Sequence, residues 1–152
     1  MNKKLVGGSA AGLLLATAII GRWEGKRNDP YLDIVGVPTV CYGETRVQMK
    51  TYTDAECKQM LQEAVKDYQQ GVIACVPSLV DRPYQLAAST SLAYNIGVKA
   101  FCNSTVAKKF NEGQYKAGCL GFASWKYAGG KVSQGLVNRR KDETRLCLTG
   151  LG

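Results

Sequence analysis

The chain has 152 residues, 45% hydrophobic and 21% charged. That balance suits one domain with a proper core, or two small lobes sharing a helix, and excludes intrinsic disorder. Its 20 Lys and Arg against 12 Asp and Glu leave a formal charge of +8, which favours polyanionic surroundings such as a cell wall or a membrane face. The basic residues are dispersed, with no basic helix interleaved with aromatics, so nucleic acid is not an expected partner. No histidine occurs, which removes Cys/His zinc sites, Ser-His-Asp triads and Cys-His nucleophiles together. Six cysteines, none in a C-x-x-C pair, point to an oxidising compartment and structural disulfides, with connectivity left open by the residues alone.

Chain order begins with an apolar run from Leu5 to Ile20, preceded by Lys3 and Lys4 and followed by Arg22. As a helix it spans about 24 Å, short of the roughly 30 Å hydrocarbon layer of a bilayer. More than half of it is Gly, Ala, Ser or Thr, so its transfer into lipid is weakly favourable. Three readings compete. A cleaved signal peptide has a candidate cut after Ala16-Thr17-Ala18, but cutting there would remove the helix that presents Glu24. Shortness and low hydrophobicity disfavour a permanent anchor. The favoured reading is a signal-anchor that exports the chain, leaves the membrane and refolds as the first helix. Gly7, Gly8 and Gly12 make that helix weak in either environment.

Asn28-Asp29-Pro30 is a turn signal expected to end the first helix. Tyr31 to Thr45, rich in Val, Ile, Thr and Tyr, reads as a small antiparallel sheet. Thr53 and Glu56 form a capping box, and Met60, Leu61, Ala64, Val65 and Tyr68 recur at helical spacing towards Ile73, giving a long connecting helix. Pro77 and Pro83 bound a loop. Tyr84 to Asn95, Ser104 to Phe110, Tyr115 to Tyr127 and Asn138 to Leu148 then read as helices of a second lobe, with Gly129-Gly130 between the last two.

Cleaving a glycosidic bond needs an acid for the leaving oxygen and a second group on the opposite face of the sugar. Glu24, at a helix end beside Trp23, suits the first role. Asp33 in the sheet, with Thr39 a strand away, could hold a water. Two carboxylates at that spacing are weak grounds alone. The full pattern is stronger: Glu-x8-Asp-x5-Thr with Gly25, Tyr31, Gly36 and Gly43, then Leu92-Ala93-Tyr94-Asn95-Ile96-Gly97 and Phe101-Cys102-Asn103-Ser104-Thr105. It continues in Trp125-Lys126-Tyr127-Ala128-Gly129-Gly130 and Gly135-Leu136-Val137-Asn138-Arg139-Arg140.

This ordered set, over residues 22 to 148, resembles the phage-type lysozymes, glycoside hydrolase family 24. The N-terminus resembles the signal-anchor-release endolysins of lambdoid-type phages within that family. The resemblance implies an α+β lysozyme-like fold: a small antiparallel sheet lobe and a helical lobe joined by a long helix. Residues 1–21 would be the signal-anchor-release segment and 22–152 the lysozyme domain. Within that domain, about 22–52 would be the sheet and active-site lobe, about 53–74 the connecting helix and about 75–152 the helical lobe.

By the same resemblance the substrate is bacterial peptidoglycan and the reaction is hydrolysis, with inversion, of the β-1,4 bond between N-acetylmuramic acid and N-acetylglucosamine. Glu24 would be the general acid, Asp33 would polarise the attacking water and Thr39 would orient it. Tyr31, Gly43, Tyr94 and Asn95 match positions lining the family's cleft, and Arg139 matches a basic residue close to the glutamate. The implied disulfides are Cys41–Cys57, Cys75–Cys102 and Cys119–Cys147. No cofactor or metal is implied, and a monomer is expected. The inner membrane would be a transient partner through residues 5–20, with the protein exported by the host machinery, tethered, then soluble in the periplasm. One departure is Glu44, where many relatives have histidine after the glycine at position 43. Rival readings are a lytic transglycosylase and a non-catalytic membrane-permeabilising or wall-binding protein.

Overall fold

A computed structural model describes residues 3–152, with side chains from Ser9 onward. The elements run α1 (Lys3–Glu24), β1 (Arg27–Leu32), β2 (Pro38–Cys41), α2 (Asp54–Cys75), α3 (Pro83–Ile96), α4 (Val98–Cys102), α5 (Thr105–Asn111), α6 (Tyr115–Leu120), β3 (Tyr127–Ala128), β4 (Lys131–Val132) and α7 (Gln134–Leu148). This is the mixed α+β, lysozyme-like arrangement that the motif pattern implies.

The apolar run forms one helix continuous with the glutamate. Gly12, Ala16, Ile19 and Ile20 are buried on one face, at the i, i+4, i+7, i+8 spacing of an inward stripe. They pack with Leu61 and Val65 of α2 and Ala87 of α3. Burying the two isoleucines is worth about 1.5–3 kcal/mol each. Gly12 sits where any side chain would collide, because a β-carbon there would lie 2.8 Å from Leu86 Cδ2. One polar tie reinforces the packing: the buried Gln69 amide donates from Nε2 to the Ser9 carbonyl at 2.8 Å. No helix among the described residues is long and apolar enough to cross a membrane.

Helix α1 ends at Glu24 because Gly25 takes φ +69°, the left-handed turn that stops helices. The expected stop at Asn28-Asp29-Pro30 is corrected: these residues lie inside β1, which pairs antiparallel with β2 through Arg27 opposite Cys41 and Tyr31 opposite Thr39. The register is irregular between Arg27 and Tyr31, and such an interrupted two-stranded edge tolerates proline. Helix α2 starts at the capping box, with Thr53 Oγ1 accepting from the Glu56 amide and the Glu56 carboxylate accepting from the Thr53 amide.

The helical lobe has its own core, including Leu86, Leu92, Phe101, Phe110 and Phe122. The helix read over Tyr115 to Tyr127 is shorter than expected, ending at Leu120 before a 3-10 turn at Gly121–Ser124. Tyr127 instead enters a second hairpin, closed by Gly129 and Gly130 at φ +57° and +78°. Two consecutive left-handed glycines make a tight hairpin turn and cannot continue a helix. Disulfides join Cys41 to Cys57, Cys75 to Cys102 and Cys119 to Cys147. The first ties the sheet lobe to α2; the other two lie in the helical lobe, counting the C-terminal end of α2 with it.

Candidate active site

Three elements converge on the last residue of α1. From α7, the buried Arg139 donates Nη1–H to Glu24 Oε1 at 2.7 Å. From the loop after β2, Gly43 faces the other oxygen, its notional β-carbon 3.8 Å from Glu24 Oε2. From α3, Tyr94 donates its hydroxyl to the Tyr42 carbonyl at 3.2 Å, fixing that loop against the helical lobe. Burial raises the Tyr94 hydroxyl pKa far above the ordinary tyrosine value, and the charge of Glu24 adds to the rise, so Tyr94 stays a donor at any physiological pH. Oε1 of Glu24 is thus held, while among the described residues no hydrogen bond occupies Oε2.

The loop carrying Gly43 is a small, constrained reversal. Val40 and Glu44 exchange both backbone hydrogen bonds, at 2.9 and 2.8 Å, with Cys41 at φ +60° and Gly43 at φ +82°. A left-handed cysteine is uncommon, and the link to Cys57 on α2 anchors it. Glu44 turns its carboxylate to its own loop, accepting from the Thr45 and Arg46 amides and from Arg46 Nε at 3.1 Å. Burial pushes its pKa up, but the hydrogen bonds and charge of Arg46 outweigh that and hold it below the ordinary glutamate value.

Asp33 does not lie in the sheet. It begins the β1–β2 turn, where Oδ1 accepts from the Val35 and Val37 amides at 2.9 and 2.8 Å. The reason is its short carboxylate, which caps its own turn better than it fills a strand position. Oδ2 has no hydrogen-bond partner among the described residues. Thr39 is buried in β2, opposite Tyr31, and its hydroxyl donates to the Val37 carbonyl at 2.8 Å, leaving its lone pairs as acceptors. The ladder therefore sets Thr39 two residues along from Cys41, beside the Gly43 loop, with Asp33 farther towards the tip. Tyr31 lies on the opposing strand under the Arg27 guanidinium, 4.3 Å from its ring centroid. Asn95, at the end of α3, is exposed and accepts from Arg140 Nη1 at 2.9 Å. No group of three or more His, Cys, Asp or Glu among the described residues could hold a metal.

Several supporting residues escape a reading of the sequence. Arg22 Nη1 and Trp23 Nε1 both donate to Asp142 Oδ2, at 2.7 and 2.8 Å, clamping the end of α1 to α7. Behind Arg139 lies Glu143, wholly buried, with Ser91 and Arg140 around it. Only an acidic residue one helical turn after Arg139 hints at it, and such spacing is common on exposed faces.

The family model for phage lysozyme matches residues 21–143. The chain is 41% identical over 131 residues to the SAR-endolysin of Bacteriophage PS119, covering 84% of this chain and 77% of that one. With the SAR-endolysin of Pseudomonas phage phiKMV it shares 36% identity over 155 residues, covering 97% of this chain and 93% of that one. Its fold matches the active form of P1 phage endolysin Lyz with a TM-score of 0.79 at 27% identity, over 93% of this chain and 85% of that one. Against the secreted inactive form of the same endolysin the TM-score is 0.59 at 20% identity, over 93% and 96% of the two chains. The arrangement described here is thus nearer in fold to the active form. With its glutamate gripped at the end of the first helix, and with this breadth of match, the chain belongs to the phage lysozyme family.

Proposed function

We propose that Glu24, Asp33 and Thr39 carry the reaction of this muramidase, which hydrolyses the β-1,4 bond between N-acetylmuramic acid and N-acetylglucosamine in peptidoglycan. Glu24 protonates the leaving oxygen through Oε2, the oxygen turned to Gly43. Asp33 polarises a water through Oδ2, and Thr39 orients that water. Tyr31, Gly43, Tyr94 and Asn95 line the groove. The observation that carries this reading is the division of the Glu24 carboxyl: Arg139 fixes one oxygen and leaves the other facing the sheet loop.

The same helix explains regulation. As in a signal-anchor-release endolysin, residues 5–20 export the chain and tether it to the inner membrane. The cleft is incomplete there, because the helix that aims Glu24 is in lipid. Release into the periplasm lets the segment dock as α1 and activates the enzyme. No disulfide can hold the segment itself, since its described sequence has no cysteine.

Glu24→Gln tests the assignment. General acid catalysis contributes roughly a hundredfold to ten-thousandfold, so clearing of wall suspensions should fall by that order while the fold, followed by circular dichroism, is retained. Retained lysis would point to a permeabiliser. An anhydro-sugar product in the mass spectrum of the unsubstituted enzyme would point to a transglycosylase.

A further inference from the structure

The most heavily buried charges among the described residues lie behind the cleft, and only Arg139 reaches Glu24. Glu143 has no exposed surface, Arg140 has 1% and Arg139 has 5%. Arg139 divides its guanidinium between two carboxylates: Nη1 to Glu24 at 2.7 Å and Nε to Glu143 Oε2 at 3.3 Å, with Nη2 at 3.3 Å from the Ser91 carbonyl. Arg140 approaches the far side of Glu143, its Nε 2.7 Å from Oε1 as an ion pair and its Nη2 donating to Oε2 at 3.1 Å. Ser91 Oγ donates to the same Oε2 at 2.5 Å. Burial raises the Glu143 pKa above the ordinary glutamate value, despite the opposing pull of Arg140, Ser91 and Arg139.

The charge count decides what this cluster does. With Glu24 ionised, two guanidiniums and two carboxylates cancel. Glu24 must hold a proton to act as an acid, and the cluster then carries one net positive charge. Without Glu143 it would carry two, in surroundings that screen charge poorly. The other groups around Glu24 do not replace it: Tyr94 from α3 is neutral, Tyr68 of α2 packs tilted against Tyr94, Asp142 is taken by Arg22 and Trp23, and Glu44 is turned to Arg46.

We propose that Glu143 is the charge-balancing positioning residue of this cleft: sealed between Arg139 and Arg140, it offsets one guanidinium so that Glu24 can carry the proton it donates. The inference rests on the reading of Glu24 as the general acid. Glu143 acts only through Arg139 and touches no substrate.

The test is the pH profile of kcat/KM on solubilised peptidoglycan strands. Activity falls with rising pH as the acid loses its proton, so the alkaline limb reports Glu24. Glu143→Gln should move that limb down by roughly one pH unit, about a tenfold loss on the alkaline side, with activity retained at the lower optimum. Arg140→Gln, which frees Glu143 to serve Arg139, should move the limb up. A merely structural role would lower activity at all pH values without opposite shifts, and that result overturns the proposal.

Should Glu143→Gln fail to fold, the Arg140→Gln shift stands as the test, and an unmoved or lowered limb contradicts it. In the unsubstituted enzyme, carbon-13 NMR of labelled glutamate must show Glu143 ionised throughout the alkaline limb; a protonated Glu143 there also overturns the proposal. The two readings fail separately. An active Glu24→Gln enzyme removes the acid assignment, whereas an inactive Glu24→Gln enzyme together with unmoved limbs in the Glu143→Gln and Arg140→Gln enzymes removes only the role of Glu143.

Discussion

Glu24, Asp33 and Thr39 differ in how much of their setting a sequence reveals. Their order and spacing point to the proposed site because a glutamate ending a helix, followed by a hairpin, is a covalently linked unit. What holds each one is not local. Glu24 is fixed by Arg139, 115 residues away; the motif pattern implies that basic group but not its second carboxylate partner, Glu143. Asp33 was expected in a strand and lies in the turn, because its own backbone amides compete for the carboxylate. Thr39 donates its one proton to the Val37 carbonyl, so the water of the proposed mechanism must donate to it. Thr39→Val keeps shape and strand propensity but removes that acceptor. It should lower kcat roughly a hundredfold through a misplaced water, with stability changed by only about 1 kcal/mol, as turbidity and thermal melting would show. Glu44 turns its carboxylate to its own loop, away from the proposed reaction. Its lowered pKa stabilises the fold in full above the ordinary glutamate range, and that contribution is lost as pH falls through the folded value. Glu44→Gln should therefore flatten the drop in Tm between roughly pH 5 and 3, which a melting series across that range would check.

Among the elements, α1 has two jobs that impose opposite demands. Lipid favours large apolar side chains all round, whereas docking needs a stripe with a gap in it. Gly12 is that gap, facing Leu86, although in the sequence it shows only as a helix weakener. Packing partners that arise far along the chain leave no trace beside a glycine. Gly12→Val should strengthen membrane retention and push against Leu86 in the docked form, costing about 1–3 kcal/mol. Fractionation should show more protein in membranes, and the soluble fraction should clear walls more slowly. The capping box of α2 and the long apolar helix α3 were legible because their signals are local. The β3–β4 hairpin was not: its strands are two residues each, too short for any periodicity, and Gly129-Gly130 reads equally as a helix break.

For the molecule as a whole, a helical-lobe core and a sheet-lobe core flank the cluster on which α1 docks, and three disulfides restrain both lobes. The connectivity could not be derived from residue spacing; it came with the family resemblance, since loop closure alone permits several pairings. Closing loops with sequence separations of 16, 27 and 28 residues contributes a few kcal/mol each. Docking α1 then becomes the switch: it fills the groove over Leu61, Val65 and Ala87 and carries Glu24 to Arg139.

That claim is tested most directly by comparing one intact chain in two locations. Wall hydrolysis would be measured for the protein reconstituted in lipid vesicles and for the same protein after detachment, at equal concentration and with the peptidoglycan in solubilised form so that access is equal. The account predicts hydrolysis from the detached chain and almost none from the embedded one. Equal rates from both would contradict it.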